Sequence, residues 1–246
     1  MKILSIDTSR QQATAAIVSE YITIGEILLN ARTGEKSWTH SEILMPGIDQ
    51  LFKLTRLTPE DIDYVAYTCG PGSFTGLRIG AATAVGIATA LKIQAIPVPT
   101  LDALAYNVVG TRNKGFVIPM LDARRGQVYT AIYGQSANSG LLCRESEYMA
   151  LPVEEAVRNM FTTLNYSPSP GDDILFLGDG ADANEEVIRK IVPSAFIAPV
   201  NNNRLRASSV GVWAMKKILE GHSSFSDKVD IIYVRVPQAV REAKKA

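Results

Sequence analysis

The sequence predicts an α/β protein made of two related lobes, and three observations predict it. A strand, an aspartate, a polar turn and a second strand run from Ile3 to Val18, and the same series recurs from Pro119 to Ile132. Asp7, Arg10, Gln12, Ala16 and Ile17 map onto Asp122, Arg125, Gln127, Ala131 and Ile132 at one constant offset of 115 residues, the mark of an internal duplication. A second echo, in the same order, sets Val65–Gly72 (strand, then Gly-x-Gly) against Ile174–Gly180 at an offset of 108. Between the echoes lie segments whose apolar residues recur at helical spacing. The expected lobes are residues 1–106 and 107–246, with a last helix or strand of the second able to pack back on the first.

Each element has a local reason. Ile3–Asp7 is an apolar run closed by a charge, Ala13–Val18 is its hairpin partner, and Tyr21–Asn30 supplies a third strand. Thr39-His-Ser-Glu42 has the form of a capping box, and Ile43, Leu44, Ile48, Leu51 and Phe52 place an apolar stripe on the helix that follows, with Pro46 inside it as a kink. A second helix runs from about Gly76 to Leu91 and is rich in small residues four apart: Gly76 and Gly80, then Ala82, Gly86 and Ala90. Glycine costs a helix about 1 kcal/mol relative to alanine, so this composition implies close approach of another backbone. Pro152–Phe161, Asn184–Ile191 and Ser209–Leu219 read as helices, Ser167–Asp173 as a loop, Asp230–Arg235 as a short strand or extended segment, and Gln238–Ala246 as a basic tail.

Composition narrows the function. The chain has 246 residues, 46% apolar and 20% charged, so it can bury a sizeable core. Lys plus Arg and Asp plus Glu are both 25, which leaves no strong electrostatic drive toward nucleic acid or an anionic membrane. Cys69 and Cys143 are far apart and read as free thiols of a reducing compartment. His40 and His222 are equally distant, so no histidine pair at metal-binding spacing exists, and no metal or cofactor is expected. Ile79–Leu91, the longest uncharged helical stretch, falls short of a membrane span, and Asp7 interrupts the first apolar run too early for a leader; the expected place is the cytoplasm.

The most informative motif is Gly70-Pro-Gly72-Ser73-Phe-Thr75-Gly76-Leu-Arg78-Ile-Gly80, a glycine-rich loop between a strand and a helix. Such a loop either cradles an anion on its amides or makes a tight structural turn. It lacks the closing Gly-Lys-Ser/Thr of a Walker loop and the spacing of a dinucleotide fingerprint. Asp7 and Asp122 stand at strand ends, where phosphate-transferring enzymes of the actin, hexokinase and Hsp70 kind place metal- or water-positioning carboxylates. Asp122 is read as a turn aspartate bonding its own backbone, and Asp7 is left open between the two roles. Asp7 and Thr8 would be a vestigial phosphate site, since Gln11 and Gln12 stand where glycines would admit a nucleotide. No G-x-S-x-G elbow surrounds Ser73; His40 is read as a solvated helix-start residue and His222 as a complement to a helix end.

Ile-Leu-Ser-Ile-Asp7-Thr-Ser, the His40-Ser-Glu-Ile-Leu helix start, the glycine loop, Leu121-Asp-Ala-Arg-Arg-Gly126 and Tyr233-Val-Arg235 together resemble the TsaB (YeaZ) family, over most of the chain. That resemblance implies a two-lobe actin/Hsp70-like (ASKHA) fold with duplicated ribonuclease H-like lobes. It implies a non-catalytic subunit of the machinery that makes N6-threonylcarbamoyladenosine on tRNA, meeting tRNA only through the complex. It implies a heterodimer with a TsaD-like catalytic subunit, through helices of the first lobe, that recruits a TsaE-like ATPase. The two i to i+4 rows of the second helix cannot both face its own lobe. An uncovered row beside the stripe would leave an apolar patch, so the expected partner surface is Ile43, Leu44, Leu51, Gly76, Gly80, Ala82, Gly86 and Ala90, closing a homodimer when the chain is alone. Two other classes compete: a stand-alone ATP-dependent kinase-like enzyme of the same superfamily, and a glycoprotease-like hydrolase.

Overall fold

The computed structural model of the chain describes residues 1–30, 32–33, 36–110, 115–135, 142–165, 174–222 and 229–234. The expected loop Ser167–Asp173, Arg235 and the basic tail lie outside the described residues. In chain order the elements are β1 (Lys2–Asp7), β2 (Gln12–Ser19), β3 (Thr23–Asn30), a small hairpin of β4 (Arg32–Thr33) and β5 (Lys36–Ser37), α1 (His40–Thr55), β6 (Tyr64–Gly70), α2 (Phe74–Leu91), β7 (Gln94–Pro99) and α3 (Thr100–Ala105). There follow β8 (Phe116–Asp122), β9 (Gln127–Thr130), β10 (Tyr133–Gln135), β11 (Leu142–Arg144), β12 (Met149–Pro152), α4 (Val153–Leu164), β13 (Ile174–Leu177), α5 (Asp179–Asp182), α6 (Glu185–Ile191), β14 (Phe196–Ile197) and α7 (Ala207–Leu219).

Two units divide this list. The first comprises Met1–Asn107 with Leu205–Ile231, and the second Val108–Arg204 with Ile232–Ala246. In the first, the sheet order is β3-β2-β1-β6-β7, with the β1–β2 and β2–β3 pairs antiparallel and the β1–β6 and β6–β7 pairs parallel. Residues Ala13–Val18 of β2 are buried on both faces, so the strand reads as continuous apolar sequence. α1 packs on β2 and β3, and α7 packs on β1 and β2. Small residues set both approaches. A Cβ on Gly25 would lie 2.9 Å from Leu51, and one on Gly211 would lie 2.5 Å from Val18. The Ser5 hydroxyl, buried in β1, donates to the Ala207 carbonyl at 2.6 Å.

Glu26 on β3 secures the return of the chain. Its carboxylate accepts from the Ser208 amide and hydroxyl, each at 2.9 Å, and from Arg206 at 2.5 and 3.0 Å. The residue before α7 is arginine, which cannot cap, and Glu26 does that work from 182 residues away.

The second unit repeats the plan. β8 pairs antiparallel with β9 and parallel with β13, as β1 does with β2 and β6. Its core gathers Ile118, Met120, Val157, Met160, Phe176 and Ile188 under α4, α5 and α6. Gly70 and Gly178, matched by the second echo, both have a left-handed φ, 113° and 105°. Each donates its N–H to a polar side chain further on: Gly70 to Thr100 at 3.1 Å and Gly178 to Asn203 at 2.9 Å. Residues 229–234 form no strand; the Asp230 amide donates to the Tyr67 hydroxyl at 3.2 Å, while both neighbours of β6 are already taken by β1 and β7.

Candidate functional site

The glycine loop is built around the turn that ends β1. After the cis Gly70–Pro71 bond, Ser73 caps α2 and accepts the Gly76 amide at 3.3 Å, while its own amide donates to the Ser9 carbonyl at 2.7 Å. The Thr8 hydroxyl donates to the Gly76 carbonyl at 2.7 Å. A Cβ on Gly72 would sit 2.7 Å from the Ser9 carbonyl, one on Gly76 would overlap the Thr8 carbonyl, and one on Gly80 would overlap the Thr8 hydroxyl. The close approach read from these glycines is therefore intramolecular. Two carbonyl oxygens with partial negative charge face the loop, a poor lining for an anion.

Asp7 is 1% exposed. One of its oxygens accepts the Thr68 hydroxyl at 2.6 Å and the Ser9 amide at 2.9 Å. Burial pushes its carboxyl above the usual range, against the lowering effect of those bonds and of nearby His40. His40 corrects an expectation: it is half-buried, and its Nε2 is shut away from solvent without a hydrogen-bond partner, because the start of α1 lies close to Asp7. His222 is exposed, 4.0 Å from Glu220 at the end of α7.

The second unit has the matching turn. The Arg124 amide donates to Asp122 at 2.8 Å, as the Ser9 amide does to Asp7. The Asp122 amide in turn donates to Asp179 at 3.0 Å. Arg124, Arg125 and Gly126 are all left-handed, and a Cβ on Gly180 would press on the Met120 and Leu121 backbone at 2.9–3.0 Å. Among the described residues no three His, Cys, Asp or Glu side chains gather as a metal site. Thr68, Thr100, Asn203 and Asp179 hold these turns and carry no signal in the sequence: Thr100 lies 30 residues after Gly70 and Asn203 lies 25 after Gly178, so the repeat does not point to them.

α2 separates its two rows sharply. Gly76, Gly80, Ala84 and Ala88 are buried against their own sheet, whereas Phe74, Arg78, Ala82, Gly86 and Ala90 are exposed. A Cβ on Gly86 would meet nothing within 4 Å. The expected partner surface is thus corrected at Gly76 and Gly80, and again at Leu44 and Leu51, each 2% exposed in the core. The helical stripe of α1 faces its sheet, and Ile43 is half-buried. The outward face of α1 instead carries Met45 and Leu54, 49% and 69% exposed. Ser73 and Thr75 are exposed at the start of α2, and Gly72 is half-buried. At 18 residues α2 is longer than its uncharged stretch, and by length and composition it passes for a membrane span; here it packs on β6, β7 and β1.

Two sheets with the same β–β–turn–β–glycine plan define a protein of the actin-like ATPase fold. Solved structures agree: YeaZ from Pseudomonas aeruginosa superposes with a TM-score of 0.76 at 22% identity, over 94% of this chain and 99% of that one, and ethanolamine utilization protein EutJ from Carboxydothermus hydrogenoformans with 0.51 at 11%, over 86% and 89%. The TsaD family, tRNA N6-adenosine threonylcarbamoyltransferase, matches residues 34–239. TsaB of Bacillus subtilis (strain 168), a tRNA threonylcarbamoyladenosine biosynthesis protein, is 30% identical over 218 residues, 88% of each chain. TsaB of Escherichia coli (strain K12) is 30% identical over 152 residues, 62% of this chain and 63% of its own. The chain belongs to the TsaB (YeaZ) family.

Proposed function

We propose that this chain is the non-catalytic scaffold subunit needed to form N6-threonylcarbamoyladenosine in tRNA, acting in the cytoplasm. It binds a TsaD-like catalytic subunit as a heterodimer along the outward faces of α1 and α2. The pair recruits a TsaE-like ATPase, tRNA is met through the assembly, and a second copy takes the same surface when the partner is missing. The likeness to proteins named for this biosynthesis supports the pathway. The observation that carries the non-catalytic reading is the closure of the loop: the Thr8 and Ser9 carbonyls press against Gly76 and Gly72 where a nucleotide phosphate would need donors. Buried Asp7, held by Thr68 and Ser9, orders that turn.

The test is reconstitution. Cells depleted of the chain should lose threonylcarbamoyladenosine from tRNA hydrolysates, read by mass spectrometry, and regain it with the wild-type gene but not with Gly86→Leu. The purified chain alone should show no ATP turnover, acyl transfer or peptidase activity. ATP turnover that survives further purification and disappears in Asp7→Ala would replace this reading with the kinase-like one.

A further inference from the structure

The open row of α2 begins with two residues unlike the small ones that follow. Phe74 is 43% exposed, and the Arg78 guanidinium carbon lies 3.8 Å from the centroid of its ring. Arg78 is the only charged residue in α2, and no acidic residue occupies the first turn. Among the described residues no carboxylate pairs with Arg78, and its guanidinium rests on that ring instead. Stacking on the ring orders the long side chain and uses none of its five N–H donors. Aromatic residues and arginine are the side chains that most often concentrate binding energy at an interface.

We propose that Phe74 and Arg78 anchor the partner along this row, and that the partner is a helix that supplies a carboxylate to Arg78 and an apolar socket to the exposed part of the Phe74 ring. The inference rests on the scaffold reading above and adds the chemistry and register of the occupant. Gly86 and Ala90 let a helix lie close, but a smooth small-residue row does not fix how far it slides; a stacked cation and ring at one end do. The occupant that engages both anchors is a different chain; a second copy, which takes the row when that chain is missing, meets Arg78 without a free carboxylate. The carboxylates that α1 offers beside the row are already engaged, Asp49 by Lys53 at 2.5 Å and Glu42 by the Thr39 amide at 2.6 Å.

The test uses the full chain and the TsaD-like subunit of the same organism, titrated by calorimetry at two salt concentrations. Arg78→Glu should raise the Kd at least about tenfold, Phe74→Ala about tenfold, and Arg78→Ala should flatten the salt dependence. Circular dichroism should be unchanged in all three variants and Tm unchanged in those of exposed Arg78, while Phe74→Ala, which truncates a ring 43% exposed, can lower Tm slightly without loss of fold. Gly86→Leu is the control. If it breaks the complex while Arg78→Glu and Phe74→Ala bind as wild type, the anchor is wrong and the seam stands. If Gly86→Leu also leaves the complex intact, the reading beneath the proposal fails. Loss of tRNA affinity by the assembled complex of Arg78→Glu, with subunit binding unchanged, would overturn the proposal in favour of an RNA contact.

Discussion

Replacing Glu26 by alanine should detach the start of α7 from the edge of the first sheet. The carboxylate is 12% exposed and serves two different partners, so the loss can be apportioned. The Ser208 amide and hydroxyl give it charge-assisted bonds, and the two together act as a cap; losing them costs about 2 kcal/mol. Arg206 is 50% exposed, so solvent screens its ion pair and its share is at most about 1 kcal/mol. A destabilisation of about 2–3 kcal/mol follows for Glu26→Ala, which in a chain of this length lowers Tm by roughly 4–12 °C. Glu26→Gln keeps an acceptor for Ser208 but no charge and should lose about half as much. Arg206→Ala should lose about 1 kcal/mol or less, and 1 M salt should erase most of that difference. Urea and thermal unfolding followed by circular dichroism measure all three. A Glu26→Ala protein within about 0.5 kcal/mol of wild type would mean that the contact is a surface decoration and that α7 is held by apolar packing alone.

Gly76→Ala and Gly86→Ala should act in opposite directions on one helix: the first forces the Thr8 carbonyl aside and costs at least about 3 kcal/mol, while the second meets open space and gains up to about 1 kcal/mol of helix propensity. Equal effects in urea titrations would contradict the two-row description of α2. The raised carboxyl of buried Asp7 means that the folded chain holds a proton there more tightly than the unfolded chain does, so stability falls as pH rises above the unfolded value. Asp7→Asn keeps an acceptor for Thr68 and Ser9 and should raise Tm near neutral pH, with the gain vanishing toward pH about 4; a gain independent of pH would refute the burial argument. Asn203→Ala leaves the Gly178 amide without its acceptor and should cost about 1–3 kcal/mol, seen as earlier unfolding of the second unit in hydrogen exchange.

The hairpins and their aspartates were legible in the sequence because strand, charge and turn follow one another locally, and the offset of 115 residues repeats that local order. The helices were placed within a few residues for the same reason: α1 begins one residue after Thr39, and α7 spans the expected Ser209–Leu219. Periodicity said that α2 has two faces but not which one its own sheet takes. That choice is made by Thr8, whose hydroxyl and carbonyl lie against Gly80 and Gly76, a contact 68 residues long in sequence. The apolar stripe of α1 misled for a related reason. Leu44 and Leu51 look equally suited to a partner and to β2 and β3, and only the fold decides between them. β7 and α3 went unread because Gln94–Pro99 carries two prolines and Thr100–Ala105 is too short for a helical period to declare itself. The caps of Gly70 and Gly178, Thr100 and Asn203, carry no local signature at all.

The return of α7 to the first unit also bears on the order in which the chain can mature. Ser5, Val18 and Glu26 leave the ribosome early, yet their partners at Ala207, Gly211 and Ser208 are made only after residues 108–204, the bulk of the second unit, have been translated. At about 5–20 residues per second that interval lasts roughly 5–20 s, during which one face of β1 and β2 has no cover. The hairpins and helices of residues 108–204 can meanwhile form without waiting for α7. The amino-terminal half, although made first, is therefore expected to wait for residues 205–231, and a nascent chain stalled before residue 205 should display the apolar face of its first sheet to chaperones.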